Sequence, residues 1–464
     1  MSGLLAMLQQ GASSLQAHSA YSSTVAHNLS NSNTVGYSRQ RAEIAAVSPA
    51  DRFGSAYIGN GAVLQAVSQA RDRFLEAQMP GAIGREMASG TEAQTLQSIN
   101  AIDLDNSVAP SLSVFYGQLR ALAQNPGSSN YREAAVGAAT QLALSFNRSS
   151  QSLEGARAGI DQKLEGRLPE VNEALAQIAN LNSQIRQARG TGGQPNDLLD
   201  ARTRLGDRVA EWTGATPVPN ADGDLNLTLS DGTSLVAAER AAVLSVLPDA
   251  TNGGHLRLYI QKPDGSVSKP LSTPPGGELG GLLAARDGAL KTAQTQLDQL
   301  AFELSGAINA AAVAGYGLDG GTGRPLFVTT ATAAGAASSL VVNAAIAADT
   351  SLFPAGSTTA PGDPGAVQAM IDTESQNLSN GTTASGSLAR ITAQFGSTTA
   401  RAASMNEGDK AMLGHLDGMR QAASGVSVDE ELVNMQKAQR AYEAVTRVIK
   451  TADEMLNTLM SIKP

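Results

Sequence analysis

Cysteine is absent from the 464 residues. That removes disulfides, thiolate catalysis and Cys-ligated metal together, and it leaves either redox compartment open. Aromatic residues make up 4% of the chain, with Trp212 the one tryptophan, so the core has to be built from Leu, Val, Ile and Ala, a palette suited to helix packing. Charged residues are scarce as well, at 16%, and their balance is acidic, with a net charge of -9. No basic cluster offsets it, which argues against nucleic acid as a partner, since such binding relies on basic patches to displace counterions. No apolar run reaches the ~18 residues of a membrane span, so no membrane span is expected. The N-terminus lacks the basic and apolar regions of a cleavable leader. No Asp, Glu, Lys or Arg precedes Arg39.

That uncharged opening is patterned as a helix. Leu8, Leu15, Ser22 and Leu29 recur at heptad spacing, flanked by Leu4, Leu5, Ala12, Val25 and Ala26. The other face is Ser, Gln, Thr and Asn. A solvated helix usually carries charged i, i+4 pairs, whereas an uncharged polar face is cheaper to bury, so this helix is expected to be enclosed by protein in the working state. The stretch "NLSNSNTVGYSRQ" then stops it. Its Asn, Ser and Thr side chains compete for backbone hydrogen bonds, and Gly36 can take a left-handed turn.

The other end, residues 427–462, predicts a longer helix. Val428, Met435, Tyr442, Ile449 and Leu456 share one heptad position, with Ala438, Val445, Ala452 and Leu459 on the adjoining one. Arg440, Glu443, Arg447, Lys450, Asp453 and Glu454 mark the opposite face. Ser427 suits an N-cap, and Asp429, Glu430 and Glu431 suit the helix dipole. A heptad stripe is most often the core of its own domain, but termini usually fray, and long helices are marginal without packing. Termini this well patterned point to partners, either each other or neighbouring copies. The expected assembly interface is Leu4, Leu8, Leu15, Val25, Leu29, Val428, Met435, Tyr442, Ile449, Leu456 and Leu459.

Between the ends, helical seams run through residues 70–105 and 109–124. Another passes from Leu153 through Leu164, Leu175 and Ile185, where Pro169 predicts a kink, and further seams run through 290–308 and 388–416. Strand signals concentrate in "GDLNLTLSDGTSLV", which turns at Asp231-Gly232, and in "HLRLYIQKPDGSV". "LFVTT" and "SLVVN" in the Ala/Thr/Gly-rich stretch 318–363 read as short strands whose sheet is left open. The fold class is therefore mainly α with an inserted β-rich module, in a discontinuous multidomain arrangement. Residues 1–36 with 427–464 make a terminal coiled coil, 37–213 with 277–426 a helical bundle, and 214–276 the inserted β-rich domain.

No chemistry emerges from this inventory. His18, His27, His255 and His415 lack zinc-helix spacing, and the Gly-rich "GTGGQP" and "GGTGRP" lack the Lys-Ser/Thr of a phosphate loop. A Gly-x-Ser-x-Gly elbow is missing too. No catalytic residue, metal or cofactor is expected, and the chain does not read as an enzyme.

"VAHNLSNSNTVGYSRQRAEI" resembles the N-terminal motif of bacterial flagellar axial proteins, and "VSVDEELVNMQKAQRAYEAVTRVIKTADEMLNTLMSI" resembles their shared C-terminal motif. The matching loop positions are Asn28, Asn31, Asn33, Thr34, Gly36, Tyr37, Ser38, Arg39 and Gln40. Val35 stands where the family often has proline. "LRALAQNPGSSNYREAAV", "LNSQI" and "PNDLLDARTRL" are similar to the hook–filament junction branch of that family, the hook-associated proteins. The resemblance implies a structural layer of self-associating copies between hook protein and a second junction protein on the filament side. It implies type III export to the extracellular flagellum without a cleaved leader, and an export chaperone bound at residues 427–464. A hook or distal rod protein, which shares both end motifs, and a secreted coiled-coil scaffold are the competing readings.

Overall fold

The computed structural model describes residues 2–47, 51–53, 56–58, 61–99, 104–220 and 222–461; residues 1 and 462–464 of the expected terminal unit lie outside them. Helix α1 is Ser2–Ser30. β1 (Gln40–Ala46), a hairpin of β2 (Asp51–Phe53) and β3 (Ala56–Ile58), and β4 (Ala62–Gln69) follow. Then come α2 (Arg73–Ser98), α3 (Leu104–Gln124), α4 (Ser129–Gly190) and α5 (Asn196–Thr213). The β-rich stretch holds β5 (Thr216–Pro219), β6 (Leu225–Thr228), β7 (Ser234–Ala237) and β8 (Arg240–Ala241) in one sheet. β9 (Val243–Pro248), β10 (Leu256–Gln261) and β11 (Lys269–Pro270) form a second, ordered β11-β10-β9. α6 (Gly277–Leu283) runs through a π-helical turn at Ala284–Leu290 into α7 (Lys291–Val313). The segment after it contains β12 (Phe327–Val328), α8 (Ala336–Ser339), β13 (Val341–Val342), α9 (Ala344–Ala348) and α10 (Gly365–Asp372). α11 (Ala384–Ser424) and α12 (Val428–Ser461) complete the chain.

The mainly helical class with a central β-rich insertion holds, and one local expectation changes. β1 and β4 pair antiparallel, Gln40↔Gln69 through Ala46↔Ala62, inside a range read as helical bundle. Ile44 is the one large apolar residue of β1, and in β4 Val63 and Leu64 are adjacent and so fall on opposite faces, which leaves no clean apolar/polar alternation to read. α4 passes through Pro169 as one helix. Pro169 lies on the exposed side, where water can satisfy the carbonyl left without a backbone donor. β12 pairs only with β13 among the described strands, Phe327↔Val342, so the 318–363 strands form their own ribbon. The Asp231-Gly232 turn joins β6 and β7, with Leu227 opposite Val236.

One buried apolar cluster runs along α3, α4 and α7 and continues into both sheets of the β-rich stretch. Phe115, Tyr116, Leu142 and Phe146 mark one end, and Leu235, Leu258 and Ile260 the other. Each such side chain contributes roughly 1.5–3 kcal/mol by burial. A separate small cluster of Leu75, Met79, Ala82, Ile83 and Leu416 packs α2 against α11.

Helix-to-strand attachment uses one device repeatedly. An asparagine on a helix donates its amide to the carbonyl of a residue and accepts that residue's N–H. Asn172 clamps Leu244 at 2.9 and 2.8 Å, Asn182 clamps Leu225 at 3.0 and 3.0 Å, and Asn309 clamps Phe327 at 2.8 and 2.8 Å. Each amide completes a donor–acceptor pair that a neighbouring strand would otherwise satisfy. Asn28 on α1 does the same to Gln40, at 2.8 and 2.9 Å.

A polar junction of the chain ends as the candidate functional site

The end of α1 is capped by its own loop. Asn31 Nδ2 donates to His27 O at 3.0 Å, Ser32 Oγ to Leu29 O at 3.0 Å, and Thr34 N to Asn31 O at 2.9 Å. Gly36 has φ +73, and a Cβ there would stand 2.6 Å from Arg204 Cγ on α5. This turn thus requires glycine both for its backbone and for the close approach of α5.

Asn28, 2% exposed, is the hub. Besides clamping Gln40, its Oδ1 accepts from Tyr37 OH at 2.8 Å, and its Nδ2 lies 3.3 Å from Glu431 Oε2. Burial first, then the nearby carboxylates Asp197, Asp200 and Glu431, push the Tyr37 phenol well above its ordinary value, so it stays protonated and able to donate. His27 Nδ1 stands 2.9 Å from the same hydroxyl.

From the far end of the sequence, α12 enters with Glu431, 1% exposed. Its Oε1 accepts from Arg39 Nε at 2.8 Å and Nη2 at 2.7 Å, and Arg39 Nη1 donates to Glu430 at 2.8 Å. Arg39 N–H also caps α11 at Ser424 O, 3.0 Å. A third party is the start of α5. Buried Asp200 accepts from Ser38 N at 3.2 Å and Gln69 Nε2 at 3.0 Å, and it pairs with Arg71. Gln40 Nε2 donates to Asp197 at 3.1 Å. "NLSNSNTVGYSRQ", "PNDLLDARTRL" and "SVDEE" thus meet in one hydrogen-bonded junction.

From this junction α1 and α12 run side by side. Ala17 and Val25 on α1 and Ala438 and Ala452 on α12 are buried, and Gly11 admits Ile449, whose Cγ1 would stand 2.5 Å from a Cβ there. Leu4, Leu8, Leu15 and Leu29 are half-buried beside this seam, as are Met435, Ile449 and Leu456. Val428, Tyr442 and Leu459 remain 44, 45 and 50% exposed. At 100° per residue, Val428, Leu432 and Tyr442 form one apolar shoulder of α12, and Val448, Met455 and Leu459 the other. Exposed Arg440, Glu443, Arg447 and Glu454 occupy the ridge opposite the seam.

In the loop motif, Asn28, Ser38 and Gln40 are buried, Asn31, Tyr37 and Arg39 half-buried, and Asn33, Thr34 and Gly36 exposed. Sequence reasoning missed Asp200, Arg71 and Gln69, and assigned Glu430 and Glu431 to the helix dipole instead of to Arg39. The available signal was Arg39 itself, the first charge in the chain, which needs a carboxylate partner if the loop is enclosed.

Beside the junction, loop 31–39, α5 and α11 border a cleft of about 790 Å³ containing Asp207. Burial lifts its carboxyl from 3.8 to about 6, against the opposing pull of Arg420, which lies 3.3 Å away and also holds Asp417 at 2.9 Å. The native state therefore holds more protons than the unfolded chain between pH 4 and 6, and stability falls as pH rises through that window, by up to about 3 kcal/mol. Asp207→Asn is expected to flatten this slope in denaturant titrations across pH 4–8; an unchanged slope would dismiss Asp207 as its source.

The two chain ends thus meet at one hydrogen-bonded junction, from which their long helices run paired. The family model described as flagellar basal body rod FlgEFG protein C-terminal matches residues 420–462. That described as the flagellar hook-associated protein FlgK helical domain matches residues 93–327, half of the chain, and the chain belongs to the FlgK family. Flagellar hook-associated protein 1 of Salmonella typhimurium is 30% identical over 326 residues, 69% of this chain and 59% of its own length. The protein of that name from Bacillus subtilis is 26% identical over 498 residues, 98% of this chain and 97% of its own. The chain thus spans less than two thirds of the Salmonella relative. The structure of the flagellar hook junction protein FlgK from Burkholderia pseudomallei matches with a TM-score of 0.49 and 25% identity, over 56% of this chain and 47% of that one.

Proposed function

We propose that this chain is a structural, non-catalytic component of the extracellular bacterial flagellum, forming a joint layer between hook and filament. The observation that carries the reading is the α1–α12 pair, tied at one end by the polar junction yet bearing an uncovered apolar shoulder on each side of α12. Two shoulders on one helix suit lateral neighbours on both sides, as a ring of identical copies requires. Residues 1–36 with 427–464 then act as the assembly unit. The charged ridge faces a hydrated central channel and the uncharged α1 is enclosed. Hook protein lies on one side of the layer and a second junction protein on the other. The chain travels unfolded through the flagellar type III apparatus, without a cleaved leader, and an export chaperone covers the shoulders of α12 before assembly. A hook or rod role shares the C-terminal match, but the helical-domain match favours the junction.

Tyr442 and Leu459 are half-exposed in the single chain, so replacing both with Asp is expected to leave its unfolding free energy within about 0.5 kcal/mol of the original and to abolish incorporation. Motility and electron microscopy of complemented cells check this. Normal filaments from the double variant would sink the shoulder-packing scheme.

A further inference from the structure

A second cleft, of about 850 Å³, adjoins the first, sharing Arg71, Glu76, Thr203 and Asp207 with it, and opens between α2, α5, the turn after α4 and the β5–β6 edge. Its chemistry is unbalanced. Arg202 on α5 is half-buried and donates to Asn182 Oδ1 at 2.9 Å and Gly223 O at 3.1 Å. Arg189, at the end of α4, and Arg73, at the start of α2, stand exposed at the cleft walls. Among the described residues, none of these three guanidiniums has a carboxylate within ion-pair distance. The acids that do line the cleft are engaged with other arginines: Asp224 with Arg186 at 2.6 Å, Asp207 with Arg420 at 3.3 Å and Glu76 with Arg71 at 3.9 Å. Burial first, then the nearby Arg189, hold Arg202 below its ordinary value, at about 10, against the pull of Asp224. The cleft lining therefore sets four arginines against three acids and leaves Arg73, Arg189 and Arg202 without an ion-pair partner among the described residues, on a chain whose net charge is -9.

We propose that this cleft is a docking site for a short acidic segment of another polypeptide, whose Asp or Glu carboxylates pair with Arg73, Arg189 and Arg202. Guanidinium forks suit carboxylates bidentately, and Pro80, Leu199 and Pro217 in the lining offer apolar wall to the intervening residues. The overall negative charge disfavours a long polyanion such as nucleic acid, whereas a short acidic segment needs only this local match. The site is separate from the α12 shoulders, so its test and theirs fail independently.

The test is fluorescence anisotropy of a labelled oligoglutamate peptide titrated with the full chain. Arg73→Gln with Arg189→Gln removes two exposed charges and spares the hydrogen bonds of Arg202, so the fold persists, as circular dichroism can check. The expected result is saturable, salt-sensitive binding, weakened about tenfold or more in the double variant and unchanged in Arg240→Gln, an exposed arginine outside the cleft. Oligoglutamine does not bind. Equal affinity in the double variant, equal weakening by Arg240→Gln, or competition by inorganic phosphate as effective as that by the peptide would overturn the proposal.

Discussion

Replacing Glu431 with alanine should release α12 from the rest of the chain while the helical bundle stays folded. Glu431 is buried, and it is the principal partner of a guanidinium that is itself only 17% exposed. Removing one member of such a pair leaves the other uncompensated, at a cost of about 3–5 kcal/mol. Glu430 can answer Arg39 only from an exposed position, where an ion pair contributes at most about 1 kcal/mol. The remaining α1–α12 seam fully buries Ala17, Val25, Ala438 and Ala452 but leaves Leu4, Leu8, Leu15, Met435, Ile449 and Leu456 half-buried, so it does not make up that loss. Amide exchange in α12 is therefore expected to accelerate by roughly two orders of magnitude or more, with α3 and α4 unaffected. Equal exchange in variant and parent would mean that the seam alone holds α12. Asn28→Ala probes the same junction from the other side, because it strips the buried N–H of Gln40 of its acceptor.

The second large effect lies far from the ends. Arg132 on α4 is 2% exposed and among the described residues pairs with no carboxylate. Its guanidinium donates to Pro126 O at 2.7 Å, Phe353 O at 2.5 Å and Ser351 O at 3.3 Å, tying the turn before α4 to the segment after α9. Two effects oppose each other in Arg132→Met. Relief of the buried charge, whose protonated form burial disfavours, favours methionine, whereas stranded carbonyls cost about 1–3 kcal/mol each. Ser351 O keeps the Leu318 N–H at 2.8 Å, which leaves Pro126 and Phe353 as the losers. The net expectation is a destabilisation of about 3 kcal/mol. Trp212, the sole tryptophan and packed against the main core, reports it by fluorescence in denaturant. A variant as stable as the parent would show that water replaces the guanidinium.

The terminal helices were legible because their apolar residues repeat over long spans, and the β6–β7 hairpin because Asp231-Gly232 sits between alternating leucines. The helix stop at 31–36 was legible for the same local reason. The ribbon of β1 and β4 was not, since β1 has Ile44 as its one large apolar residue and the adjacent Val63 and Leu64 of β4 break the alternation. Nor was the clamp function of Asn172, Asn182 and Asn309, each of which reads locally as an indifferent helix residue, or that of Asn28, which reads only as part of the helix stop. Their roles depend on which backbone groups lie opposite, a tertiary fact. Glu431 illustrates the same limit. At the start of a helix a glutamate suits the dipole whatever else it does, so its pairing with Arg39, across almost the whole chain, leaves no local trace.

The most direct test of the whole account is to locate the chain in the flagellum, by immunogold electron microscopy of intact hook–filament preparations from the source bacterium. The account predicts label confined to a narrow band at the hook–filament boundary, and hooks without filaments in cells lacking the chain. Label spread along the hook, the rod or the filament, or filaments of normal length in those cells, would contradict it.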